Sequence, residues 1–367
     1  MLHSHRVKIP SFTTNAYTNL AESLNSPLSP FSLAKHNHYC YHFNKEFKEL
    51  HYDSNLYQNS QDYSSTFQSH LLNVASFVKR FASPDNRIVE IGCGKGGFFD
   101  VLSQQGFSNL SGFDAAYEGN DSRIKKRYFS HLDKGFSADM IIMRHTLEHI
   151  PSPFDFLRSI FEINSNKNTT IIIEVPCFDW IVKHQAWWDL TYEHCNYFSE
   201  ESFRRFFPGA IIEKVFEDQY LLVKADSADL IDRGEITSQT YDDIKIESLF
   251  PFFQSSHDSI KDMEFWKGSH SQGRYWIWGC ATKGVLLLFH MKESFSDYYS
   301  PVGCIDDNPG RQSKYLPSLG CKVMNPEFLY RNILDGDTII VPNPAYLAEI
   351  NSRLSSNTGK RFNLVSI

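Results

Sequence analysis

Arg87-Ile-Val-Glu-Ile-Gly-Cys-Gly-Lys-Gly-Gly97 is the stretch from which the fold can be read. Arg87–Ile91 is a short, mostly apolar run, as expected of a strand buried on both faces. Glycines then turn the chain, and Phe98-Phe-Asp-Val-Leu-Ser-Gln-Gln105 has helical spacing. A strand, a glycine turn and a helix in succession bring backbone N–H groups close to a ligand above the turn. Ser111-Gly-Phe-Asp114 reads as the next strand. Its last residue, Asp114, follows the turn by about 20 residues and is placed to accept hydrogen bonds from a ribose diol.

The pattern continues outward on both sides. Upstream, His70–Phe81 is expected to be a helix with Leu71, Leu72, Ala75 and Val78 on its apolar stripe. Downstream come a strand at Ala138–His145, a helix at Phe154–Ile163 and a strand at Thr169–Pro176. Such alternation predicts a parallel sheet with helices on both faces. A second alternation begins at Tyr275 with strand Tyr275–Gly279, helix Thr282–Lys292 and strand Val302–Asp307. Short strand Gly320–Met324, helix Asn325–Leu334, strand Asp337–Pro342 and a closing helix Tyr346–Ser356 complete it. The predicted fold class is α/β, a Rossmann-like domain followed by a smaller Rossmann-like α/β domain. The expected division is a loosely structured arm or small subdomain at 1–69, a cofactor-binding domain at 70–224, a mostly helical connector at 225–272 broken near Pro251, and the second domain at 273–367.

Composition narrows the function. Lys+Arg 36 against Asp+Glu 43 leaves a net charge of −7, without the basic surface that nucleic-acid binding needs. No apolar run reaches membrane-spanning length, and the first residues lack the apolar core of a secretory signal. The seven cysteines lie singly, as reduced thiols do. A cytoplasmic enzyme of small molecules is the expectation, with no nucleic-acid or membrane partner.

Two cofactors fit the turn. Gly92, Gly94 and Gly97 satisfy the dinucleotide pattern GxGxxG, which is weak evidence alone. Glu90, two residues before the first glycine, would repel a pyrophosphate but can position the cationic methionine end of S-adenosylmethionine. Two histidine-bearing motifs follow later strands, where ligands of open α/β sheets collect. In Arg144-His-Thr-Leu-Glu-His149 the histidines are four apart, but Pro151 and Pro153 leave little helix for a zinc site. His145 and Glu148 instead read as the wall of a cofactor pocket. The other motif, Asp189-Leu-Thr-Tyr-Glu-His-Cys-Asn-Tyr-Phe-Ser199, packs acids, tyrosines and His194 into one loop. A histidine near its ordinary pKa is the best general base at neutral pH, and a neighbouring acid can fix its tautomer.

Taken in order, these motifs resemble the class I S-adenosylmethionine-dependent C-methyltransferases of nucleotide-linked deoxysugars. The resemblance rests on ExGxGxG at Glu90–Gly96, Asp114, HxLEHxPxP at His145–Pro153, Glu174-Val-Pro176 and EHxxYFS at Glu193–Ser199. It extends to Trp278-Gly-Cys-Ala-Thr-Lys-Gly284, Asp306-Asp-Asn-Pro309 and Lys314-Tyr-Leu-Pro317. It implies methyl transfer to C3 of a 4-keto-6-deoxysugar carried on a nucleoside diphosphate. His194 would be the base, Glu193 would orient it, and Tyr192 or Tyr63 would donate to the enolate oxygen. Glu90, Gly92, Gly94, Asp114 and His145 would bind the cofactor, and Lys283 and Asn308 the nucleotide end of the substrate. The chain departs from the family in two places. Thr191 stands where a tyrosine is usual, which keeps open an O- or N-methyltransferase, or a cofactor-binding homologue without activity. His36, His38, Cys40 and His42 replace the family's paired zinc cysteines; alternate residues share a strand face without any metal, and none is expected.

Overall fold

Ile88–Ile91 is buried at every residue because a strand lies on each side of it. The computed structural model describes residues 6–51, 55–130, 133, 135–234, 240–250, 274–294 and 300–366. In the larger sheet the strands run, from edge to edge, Ile211–Val215, Tyr220–Asp226, Thr170–Pro176, Met140–Arg144, Ile88–Ile91, Leu110–Phe113 and Ile124–Lys125. All are parallel except Tyr220–Asp226, which is antiparallel to both neighbours. The chain builds outward from Ile88–Ile91 to one side, then returns to the other at Met140–Arg144. That reversal opens a crevice at the carboxyl ends of the central strands.

Side-chain alternation divides the core between the two faces. Ile88, Met140, Ile142 and Ile172 pack with helices Ser65–Lys79 and Gly97–Gln104, whereas Val89, Ile141, Met143 and Ile173 pack with Pro153–Ile163. The helix expected from His70 starts five residues earlier, where the Ser64 side chain accepts the Phe67 N–H and caps it. Its apolar stripe is Phe67, Leu71, Val74, Ala75 and Val78, while Leu72 faces solvent.

The second sheet is wholly parallel, in the order Val323–Met324, Gly303–Ile305, Tyr275–Trp278, Thr338–Val341 and Asn363–Ser366. The last strand follows the closing helix and was absent from the sequence reading. This sheet repeats the reversal of the first, beside Tyr275–Trp278. Its turn also repeats the first one. Gly92 N–H donates to Phe113 O at 2.8 Å and Gly94 N–H to Asp114 Oδ2 at 2.8 Å. Gly279 N–H donates to Ile305 O at 2.9 Å and Cys280 N–H to Asp306 Oδ2 at 2.8 Å.

Where a loosely structured arm or small subdomain was expected, the described residues carry short strands. Val7–Pro10 pairs with Leu28–Phe31, and Leu33–His36 pairs with both His42–Asn44 and Tyr241–Ile244. His42–Asn44 also pairs with Asn196–Tyr197, so the arm's sheet includes part of the histidine loop. Phe31, Leu33, Tyr39 and Tyr41 are buried. His36, His38, Cys40 and His42 are in no metal-holding cluster found among the described residues. His36 Nδ1 accepts the backbone N–H groups of His38 and Tyr39 at 3.2 and 3.3 Å, and burial with the nearby His38 lowers His36 to about pKa 4. In the expected helical connector, the described part holds a 3-10 turn at Ser227–Asp229, strand Tyr241–Ile244 and a short helix, Ile246–Leu249. The expected break near Pro251 lies outside the described residues.

Candidate active site

The glycine turn divides its labour. Gly92 has φ +76°, and a Cβ there would lie 2.1 Å from Thr146 Oγ1, so this glycine lets two loops meet. Gly94 has φ +56° and nothing within 4 Å of a Cβ, so its backbone faces open space. Asp114 accepts N–H groups from Gly94 and Ala116, each at 2.8 Å, and burial raises its pKa. Glu90 lies below the turn, buried, and its Oε2 accepts no hydrogen bond. Burial raises its pKa to about 7 despite the opposing Arg144. Beside it, Glu174 is bound by His70 Nε2 and by Arg144 Nε at 2.7 Å. Burial opposes its ionisation, but the Arg144 guanidinium leads the groups that hold its carboxyl well below the usual range. A buried, unpartnered carboxylate atom under an open glycine suits a ligand with a cationic end.

Glu90, Gly92, Gly94, Asp114 and Arg144 line one cavity of about 1020 Å³, whose far wall is the second sheet's turn. His194 reaches the same cavity, and burial followed by the nearby His149 lowers its pKa to about 4. Its Nδ1 is buried without a partner. His149 Nδ1 donates to the Glu193 carbonyl at 2.7 Å, and its ring lies 5.0 Å from that of His194, edge to face. His145 has φ 47°, packs edge-on against Tyr220 at 4.6 Å, and places Nδ1 3.4 Å from Glu148 Oε1. Glu148, His149 and His194 bring one ligand atom each within 4.8 Å of one another, the one group able to hold a metal among the described residues.

Residues 67–210 match the family model described as a methyltransferase domain. Those residues form a methyltransferase domain. No curated protein sequence matches the chain. Among solved structures, the plantazolicin methyltransferase BpumL, in complex with S-adenosylhomocysteine, is 15% identical with a TM-score of 0.33. That match covers 45% of this chain and 84% of the other. Geranyl diphosphate C-methyltransferase from Streptomyces coelicolor A3(2) is 19% identical, with 42% and 74% covered and a TM-score of 0.31. Magnesium protoporphyrin IX methyltransferase from Synechocystis PCC 6803 is 12% identical, with 44% and 83% covered and a TM-score of 0.32.

Around the cavity, the sequence-derived residues fall into two groups. Glu90, Gly92, Gly94, Asp114, His145, His194, Lys283, Asn308 and Tyr63 all line the cavity. Tyr63 is 51% exposed at its edge. Glu193 also borders the cavity, whereas Tyr192 does not, and the side chains of both are turned to other work. The Glu193 carboxylate accepts the N–H groups of Thr13 and Thr14 at 2.6 and 3.1 Å, and both of their hydroxyls. It therefore anchors the arm, and no hydrogen bond joins it to His194. Tyr192 OH accepts the Lys48 N–H at 2.8 Å and donates to Glu46 O at 3.1 Å, which likewise commits it to the arm. Lys283 pairs with Asp189 and sits 5.1 Å from the centroid of the Trp180 ring, so its charge is already met. Asn308 Nδ2 donates to Ser60 O at 3.3 Å and its Oδ1 accepts from Gly310 N–H at 2.9 Å.

Sequence reading missed two features of the wall. The segment Tyr57–Ser64 of the arm lines the cavity, and of it the sequence singled out only Tyr63. Arg311 went unremarked as well, because a single arginine in a polar loop carries no signal of burial.

Proposed function

We propose that the methyltransferase adds a methyl group to C3 of a 4-keto-6-deoxysugar linked to a nucleoside diphosphate. The carrying observation is that His194 and both glycine turns border a single cavity. A cofactor over Gly94 and a substrate anchored on the second turn would meet in front of His194. S-adenosylmethionine supplies, when bound, an already activated sulfonium methyl. Glu90 and Asp114 would hold its cationic and ribose ends. The second unit offers the turn Gly279–Gly284, the first N–H groups of helix Thr282–Ser294, and Asn308 to the nucleotide.

The C4 carbonyl acidifies the C3 proton, and neutral His194 takes it. The C–H electron pair passes into an enolate, and C3 then forms the new C–C bond as the S–CH₃ pair returns to sulfur. His194 later gives its proton to solvent. With Tyr192 committed to the arm, Tyr63 is the donor to the enolate oxygen. Holding donor and acceptor in line supplies most of the acceleration, because the methyl group needs no further activation.

The test is transfer of isotope-labelled methyl to a panel of nucleoside-diphosphate 4-keto-6-deoxysugars, read by mass spectrometry. Label on a ring carbon and loss of solvent-exchangeable deuterium at C3 support the reading. Label on oxygen or nitrogen replaces it with an O- or N-methyltransferase. S-adenosylhomocysteine binding without transfer to any acceptor would sink it.

A further inference from the structure

Glu148, His149 and His194 converge on one wall of the cavity. Glu148 is 1% exposed, and neither of its carboxylate oxygens accepts a hydrogen bond. The imidazole of His145 places Nδ1 3.4 Å from Oε1, outside hydrogen-bond geometry. An ionised carboxylate away from water needs a cation or an N–H beside it. His194 Nδ1 is likewise buried without a partner. In His149 the Nδ1 proton goes to the Glu193 carbonyl, so the lone pair of the neutral ring lies on Nε2.

The backbone holds these groups together. Glu148 and His149 sit on the turn Leu147–His149 after strand Met140–Arg144, and His194 sits on the loop that enters strand Asn196–Tyr197. Hydrogen bonds tie turn to loop: His149 Nδ1 to Glu193 O at 2.7 Å, Cys195 Sγ to Glu148 O at 3.3 Å and Asn196 Nδ2 to Ile150 O at 2.6 Å. One ligand atom from each of Glu148, His149 and His194 then lies within 4.8 Å of the others. That spacing suits a shared ion. At bonds of about 2.0–2.2 Å, two ligands of a tetrahedral ion stand about 3.4 Å apart, so about an ångström of side-chain movement closes the set. In the sequence His145 and His149 are the pair four apart; the structure joins His149 to Glu148 and His194 and leaves His145 outside the group.

We propose that Glu148, His149 and His194 bind one zinc-type divalent cation, and that the bound ion silences His194 as a base. Two imidazoles and a carboxylate are ligands for zinc and its transition-metal neighbours, whereas magnesium and calcium take oxygen. Three protein ligands leave a tetrahedral ion one position, here open to the cavity that all three residues line. The bond from His149 to the Glu193 carbonyl is the outer-shell contact that aims a metal-bound imidazole. The silencing rests on the reading of His194 as the base and follows from the ring itself. One nitrogen of a neutral imidazole carries the ring proton and the other would carry the ion, so neither can take the C3 proton. Methyl transfer then runs in the ion-free form.

The test uses the full chain freed of metal with a chelator. Calorimetric titration with zinc chloride, and elemental mass spectrometry after desalting, should give one zinc per chain, and magnesium should not bind. H149Q and E148Q, checked for folding by thermal melts, should each weaken zinc by more than the roughly 10–100-fold that loss of an outer-shell contact costs. Anomalous scattering from zinc-soaked wild-type crystals locates the ion without any variant. No zinc bound, an ion on other residues, or unchanged affinity in folded H149Q and E148Q overturns the site. On a methylated keto sugar, the wild-type rate should fall in step with zinc occupancy and return with chelator, and H149Q should need correspondingly more zinc for the same loss. A rate unchanged or raised by saturating zinc overturns the silencing. Should the metal-free enzyme methylate no keto sugar, the base reading fails and the silencing with it, while the zinc titration still decides the site.

Discussion

At the residue scale, Gly92 and Gly94 are two glycines of one turn that fail differently when replaced. An alanine at Gly92 would drive its Cβ to 2.1 Å from Thr146 Oγ1 in a left-handed backbone, so the loop itself must move. G92A should cost about 2–4 kcal/mol and lower the melting temperature. At Gly94 the space is open, and only the φ of +56° resists a side chain, which costs about 1–2 kcal/mol. G94A should therefore stay folded but lose S-adenosylhomocysteine affinity, because its methyl group occupies the approach to the backbone. Thermal melts and calorimetric titration of both variants separate the two roles; equal effects on stability and binding would contradict the division. Glu90 gives a pH dependence. Its pKa is raised to about 7, and a cation bound beside it favours the ionised form. S-adenosylmethionine affinity should fall as pH drops below about 7 and level off above it. E90Q should bind more weakly at high pH and lose that dependence.

At the scale of elements, what could be read from the sequence was what is local. Strand, glycine turn, helix and acid lie within one short stretch, so their spacing alone exposes them. The histidine loop shows the limit. Glu193 and His194 are adjacent in sequence, which suggests one acts on the other. The fold instead turns the carboxylate toward Thr13 and Thr14, some 180 residues away. Glu148 was legible only as pocket wall, since its grouping with His194 depends on two loops from different strands. The strands of the arm escape the sequence for a related reason: they are four residues or shorter and gain their apolar partners from distant segments. A consequence can be measured. E193Q replaces an acceptor-only group with one that carries two donors, so hydrogen bonds to Thr13 and Thr14 are lost within the core. The variant should be less stable by about 1–3 kcal/mol and release the arm to limited proteolysis sooner. Its His194 titration should match the wild type; a shifted midpoint would restore Glu193 as the orienting acid.

At the scale of the whole molecule, the two α/β units are joined by a shared interior as well as by a shared cavity. One apolar cluster runs from Ile9 and Phe31 of the arm through Ile141 and Ile173 of the first sheet to Ile277 and Ile340 of the second. Arg311 ties the polar side of this junction. It is fully buried and donates to Gln58 O at 2.9 Å, Cys280 O at 2.6 Å and Thr14 O at 2.8 Å. Thr14 in turn is held by Glu193, so one line of contacts runs from the second unit through the arm to the histidine loop. Burial lowers the Arg311 pKa against the pull of Asp306, the acid of the second turn. In R311M these carbonyls lose their donor and Asp306 loses its counter-charge, at a cost of about 3–5 kcal/mol. R311K keeps the charge, but one ammonium cannot span acceptors that a planar guanidinium reaches at once, so it should fall between the two. Thermal unfolding followed by calorimetry checks the order. The shared apolar cluster makes a further demand: R311M should still unfold in one transition at a lower temperature. Two transitions would mean that the arginine, rather than the common core, is what makes the units fold as one.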